Sequence, residues 1–153
     1  MRLLLTLTMF LFAVTAAFGQ EVNPNYDQAL AKSLGADDYG MKSYVLVILK
    51  TGSNTTTDKA IRDSLFSGHM NNIGRLAKLG QLVVAGPLGK NEKSYRGIFI
   101  LNVTTLEEAN ELLLTDPAIK EKLLQADLYK WYGSAALPEY LKYHAKIEKT
   151  KIK

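Results

Sequence analysis

The chain has 153 residues, 47% hydrophobic and 22% charged, which fits one globular domain with a single core and excludes a disordered or collagen-like chain. It has no cysteine and two histidines, His69 and His144. This excludes disulfides, thiolate catalysis and cysteine-ligated metal, so neither a metal site nor a cofactor is expected. The net charge of +4 belongs to the ends: Lys142–Lys153 carries +4, Arg2 adds +1 and residues 20–141 sum to −1, so no basic domain points to nucleic acid.

The first nineteen residues read MRLLLTLTMFLFAVTAAFG. Arg2 is a short positive start, Leu3–Phe18 is an uncharged apolar run, and Ala17 and Gly19 are small residues at −3 and −1 of a cut before Gln20. This is the layout of a cleavable signal peptide. As a helix the run reaches only about 24 Å, short of the roughly 30 Å hydrocarbon core. The mature chain is therefore expected to be secreted or periplasmic, with no transmembrane segment.

Residues 20–42 are polar and read as an N-terminal extension, with a short helix over Tyr26–Leu34 stopped by Gly35. The domain proper is expected at 43–134. SYVLVILK, Ser43–Lys50, reads as a buried strand because it is β-branched and almost continuously apolar. After the loop TGSNTTT, Asp58 caps a long helix to about Leu79, closed by Gly80. Leu82–Ala85 is a second strand ended by Gly86-Pro87, and Tyr95–Val103 is a third. Thr105 and Glu108 form a capping box that opens a helix to about Leu114. Asp116-Pro117 starts a short helical turn. Ala126–Tyr132 is a fourth strand ended by Gly133. Pro138–Ile147 forms an appended helix within the C-terminal 135–153 segment, in whose lysine-rich part His144 is expected to be simply solvated.

The order β-α-β-β-α-β is that of an α+β, ferredoxin-like subunit. Val45, Val47 and Leu49 alternate with Tyr44, Leu46 and Ile48, so both faces of the first strand are apolar. Helices can cover one of them. The other calls for a second copy, giving a homodimer with two sheets packed face to face.

The candidate chemistry is sparse. Taking Ile61 as zero on the long helix, Leu65 falls near 40°, Leu76 near 60°, His69 near 80° and Ile73 near 120°. His69 therefore faces the sheet, either as a working imidazole or as a core histidine bonded to a backbone carbonyl. Asp116 before Pro117 reads equally as a turn or helix cap. Gly86-Pro87 has little side-chain bulk and lets a ligand approach backbone N–H groups; with Tyr95 it makes up the candidate substrate-binding set. Trp131 and Tyr132 should divide between core and surface.

The run Gly68-His69-Met70-Asn71-Asn72-Ile73-Gly74-Arg75-Leu76-Ala77-Lys78-Leu79-Gly80-Gln81-Leu82-Val83-Val84-Ala85-Gly86-Pro87 resembles the YciI-like (YCII-related domain) family. In order after it come Arg96-Gly97-Ile98-Phe99, Glu107-Glu108-Ala109 and Asp116-Pro117, so that the resemblance spans about Tyr44–Tyr132. It implies a dimeric α+β barrel and a cleft in which His69 and Asp116 are the catalytic pair. Most such proteins have no known reaction. One branch is similar to a dehydrochlorinase acting on a chlorinated hydroxyquinol, and related barrels include lactone isomerases and monooxygenases. Phe66 departs from the pattern, since many members have a basic residue three before the histidine, and so does the signal peptide. The expected activity is thus a cofactor-independent acid–base lyase or isomerase acting on a small ring or carbonyl compound. The alternative is a non-catalytic binding or interaction protein on the same fold. A third option gives the Lys142–Lys153 tail an acidic surface to bind.

Overall fold

The computed structural model describes residues 23–150; the expected signal peptide lies outside them. Four strands and their helices follow one another as α1 (Gln28–Leu34), β1 (Met41–Thr51), α2 (Lys59–Lys78), β2 (Leu82–Pro87), β3 (Tyr95–Leu101), α3 (Leu106–Leu113), α4 (Pro117–Lys120) and β4 (Leu124–Ser134). A 3-10 turn (Leu137–Tyr140) and α5 (Leu141–Ile147) complete the order. The strands form one sheet in the order β2-β3-β1-β4, antiparallel throughout. This is the ferredoxin-like α+β arrangement. Among the described residues, no helix is long and apolar enough to cross a membrane.

Local signals set the helix ends. The Asp58 carboxylate accepts from the Ala60 and Ile61 amides at 2.8 and 3.2 Å, and Gly80 follows α2 with a φ of 69°. Thr105 and Glu108 close a reciprocal capping box on α3. Such caps satisfy amides that a first helical turn leaves unpaired, each contributing about 1 kcal/mol.

The strands run further than their apolar cores. Met41 and Lys42, placed by sequence in the N-terminal extension, pair with Ser134 and Gly133. Likewise Gly86 and Pro87 continue β2, and β4 starts at Leu124 rather than Ala126. Gly133 does not end β4. The Trp131 ring lies across it, and a Cβ there would sit 2.3 Å from the ring, so glycine makes room for the indole. At the other limit, β3 stops at Leu101 because Asn102 turns away, donating its amide to Gln81 and its side chain to Gly80.

The extension is tied to this lengthened end. Asp37 accepts from the Tyr39 and Met41 amides and from the Tyr132 hydroxyl. These bonds hold the Asp37 carboxyl below the ordinary aspartate value and push the Tyr132 phenol up to about 12.

The main core lies on the helix side of the sheet. Val45, Val47, Leu49, Phe99 and Leu101 from the strands meet Leu76, Ala109 and Leu113 from the helices. On the opposite face Tyr44, Val83 and Ile100 form a smaller cluster, covered by Trp131 and Leu137. Trp131 packs 5.6 Å from Tyr44 between ring centroids, while Tyr132 is exposed.

Candidate active site

The buried residues of α2 are His69, Asn72 and Leu76, all on one face. The apolar stripe is shorter than its periodicity suggests. Ile61 is 49% exposed, and the stripe closes on the sheet only from about Leu65 onward. His69 lies where it closes. Its ring stacks on Phe99, with centroids 5.8 Å apart and planes at 23°, and meets Phe66 edge-on at 6.4 Å.

The histidine is bonded to a carboxylate, not to a backbone carbonyl. Its Nδ1 lies 2.6 Å from Oδ2 of Asp116, which is fully buried. The other oxygen, Oδ1, accepts the Ala118 amide at 2.9 Å, which makes Asp116 the N-cap of α4. Asp116 is thus a helix cap and a histidine partner at once, one oxygen for each task. An ionised carboxylate only accepts, so Nδ1 is the donor of this bond, and in the neutral ring Nε2 then keeps its lone pair. Nε2 has no partner among the described residues, yet no buried side-chain nitrogen or oxygen among them lacks one. Nε2 therefore reaches solvent.

Two features bring Asp116 to the helix. A Cβ on Gly68 would lie 2.4 Å from Cγ of Pro117, so only glycine lets the Asp116-Pro117 turn settle against α2 beside His69. Four residues beyond Gly68, Oδ1 of Asn72 accepts from Arg75, through Nη2 at 2.8 Å and Nε at 3.2 Å. The same Nη2 donates to Oγ1 of Thr115 at 2.7 Å. Thr115 also lies 3.1 Å from Asn72 Oδ1 and donates to the Leu112 carbonyl at 2.6 Å. This polar clamp fixes the residue directly before Asp116 to the residue one turn after His69.

His69 opens into a cavity of about 1140 Å³ between α2, the β2–β3 hairpin and α5. Gly86, Pro87 and Tyr95 line it together with His69. So does His144, which is exposed but stands at the cavity rather than merely solvated in the tail. The 3-10 turn and α5 are anchored there by the Tyr140 hydroxyl, which donates to the Val83 carbonyl. Burial pushes the Tyr140 phenol up, so it keeps the proton it donates. Among the described residues, no group of three or more His, Asp or Glu is placed to hold a metal ion.

Sequence reasoning passed over Gly68, Asn72, Arg75 and Thr115. Asn72 left a trace. At 100° per residue it falls near 20° on the same wheel, a polar side chain inside an apolar stripe. The roles of Gly68 and Thr115 left none, because each depends on a residue forty or more positions away.

No protein-family model and no curated protein matches this sequence. Among solved structures, the chain is similar to 5-chloro-2-hydroxyhydroquinone dehydrochlorinase from Burkholderia phenoliruptrix AC1100, in complex with 2,5-dihydroxybenzoquinone. The two share 18% identity over 57% of this chain and 92% of the other, with a TM-score of 0.41.

Proposed function

We propose that the protein is a cofactor-independent acid–base enzyme of the lyase or isomerase type, acting on a small ring or carbonyl compound. The observation that carries this reading is the buried His69–Asp116 hydrogen bond at the base of an open cavity, with Nε2 left free. A neutral imidazole takes up a proton near neutral pH. Nε2 abstracts it from a ring hydroxyl or from carbon next to a carbonyl. Asp116 offsets the positive charge the ring gains and holds its orientation. Returning the proton to another atom of the substrate isomerises it; loss of a leaving group from the resulting anion makes the reaction an elimination. Gly86, Pro87 and Tyr95 supply the substrate-facing wall.

The test is a screen of hydroxylated aromatic and cyclic carbonyl compounds in D₂O, read by NMR for deuterium uptake or product. His69→Ala should abolish turnover. Asp116→Asn should do the same while keeping the α4 cap, because an amide donating to Nδ1 moves the ring proton to Nε2 and removes the base. Activity that survives both substitutions overturns the assignment.

The same reading makes the working unit a homodimer. Leu46 and Ile48 are only half-buried on the sheet face away from the helices, and Tyr129 beside them is 49% exposed. Light scattering should give twice the chain mass, and Leu46→Glu should halve it; a wild-type monomer at micromolar concentration would count against the dimer. In this reading residues 1–19 direct export, so the N-terminus of the exported protein should read Gln20.

A further inference from the structure

The rim of the cavity differs in chemistry from its floor. Phe66, His69 and Phe99 are buried or half-buried, whereas Lys90, Arg96 and His144 line the same cavity while exposed. No Asp or Glu among the described residues lines it. Asp116 stands behind His69, Glu92 of the hairpin loop is not part of the lining, and Glu139 is engaged by Lys142. None of the three rim side chains takes part in an ion pair or side-chain hydrogen bond among the described residues. Residues 20–141 carry a net −1, so this positive rim is a local feature of the fold and not a general excess of charge.

The rim is also held in place. Asn91 Oδ1 accepts the Lys93 and Tyr95 amides at 3.1 and 3.0 Å, and its Nδ2 donates to the Gly89 and Tyr95 carbonyls at 2.9 and 2.8 Å. The Leu88 amide donates to the Arg96 carbonyl at 2.9 Å. Lys90 and Arg96 therefore leave an ordered hairpin, and the Tyr140–Val83 bond seats the segment that carries His144. Fixing the backbone beforehand lowers the ordering cost of binding.

We propose that the cavity binds an organic anion with a flat apolar body. Its anionic group is held at the rim by Lys90 and Arg96, with His144 as a third donor, and its body lies on Phe66 and Phe99. This names a substrate class for the site proposed above and rests on that reading only through the shared cavity. A guanidinium and an ammonium together suit a carboxylate or sulfonate, through forked and point contacts. A cavity lined by aromatic and aliphatic side chains with a few convergent polar groups is the usual form of a small-molecule site.

Two fluorescent probes separate charge from body: 8-anilinonaphthalene-1-sulfonate and its neutral relative N-phenyl-1-naphthylamine. The full chain should bind the sulfonate saturably. A Lys90→Ala, Arg96→Ala double variant should weaken the sulfonate at least tenfold and leave the neutral probe within twofold. His144→Ala should weaken the sulfonate a few-fold. Neither probe reacts, so binding is read whether or not turnover is found, and a failed acid–base reading and a failed anion site give different results. Unsaturable sulfonate binding in the wild type, no effect of the double variant, or an equal loss for both probes overturns the proposal.

Discussion

The two faces of the sheet are built from the same strands and end differently. On the helix face Val45, Val47 and Leu49 are closed over, down to 3% exposure or less, and the closing helices bring His69 against Asp116. On the other face Tyr44 is fully buried beneath Trp131 and Leu137, while Leu46 and Ile48 stay half-covered. Alternation in β1 is equally apolar on both sides, so the strand itself does not decide which face closes. What decides is the number of amphipathic elements available, and most of them dock on one side.

Leu49 and Leu46 test this most directly, since they are the same residue on one strand with opposite facings. Leu49→Ala should cost about 2–5 kcal/mol in urea unfolding, the usual range for a buried leucine. Leu46→Ala should cost less in the monomer. If a second copy covers that face, its cost grows with protein concentration. Equal, concentration-independent costs would erase the distinction between the faces.

Gly68→Val should come next. It drives a branched side chain into Pro117, and overpacking of this kind costs about 1–3 kcal/mol. Thermal melts should show the loss, and the His69 ring resonances should move as the Asp116 turn lifts off α2. Unchanged resonances would mean that the turn does not depend on this close approach.

Asn72→Ala should cost about 1–2 kcal/mol by unpairing Arg75 and Thr115. It is a positioning change, so the effect to look for is a move of the His69 ring resonances by NMR, as the residue before Asp116 comes loose from α2. A loss of stability with unmoved resonances would make the clamp purely structural.

The smallest effect concerns the helix layer itself. The Thr104 and Thr105 amides hold the Glu108 carboxyl below its ordinary value of 4.5. The unfolded chain therefore takes up the proton first on acidification. The contribution is complete above the ordinary value and is lost as pH falls through the folded one. Glu108→Gln should flatten the decline of Tm below about pH 4.5 and change little at pH 7. A decline as steep as in the wild type would assign it to other carboxylates.

Much of this architecture was legible residue by residue. Asp58, Gly80, Thr105 and Glu108 mark helix ends because a cap acts on amides two or three positions away. The apolar alternation of Val45–Leu49 marks the strand and the inward angle of His69 follows from helical period. Strand ends were less legible. Met41, Lys42 and Gly133 have weak strand character and are recruited by cross-strand pairing. Asp116 was ambiguous for a sound reason: the cap is a local signal, and the bond to His69 is not.

The sequence by itself determined the elements, their order, the inward histidine and the doubly apolar sheet, because these follow from patterns within a few residues of one another. The tertiary structure alone decided that His69 meets Asp116 through Nδ1, that Nε2 stays open, and that Lys90, Arg96 and His144 share a rim. Those facts depend on contacts such as the 47-residue span from His69 to Asp116. Their geometry is set by how helices dock on a sheet, and short-range propensity carries no information about it.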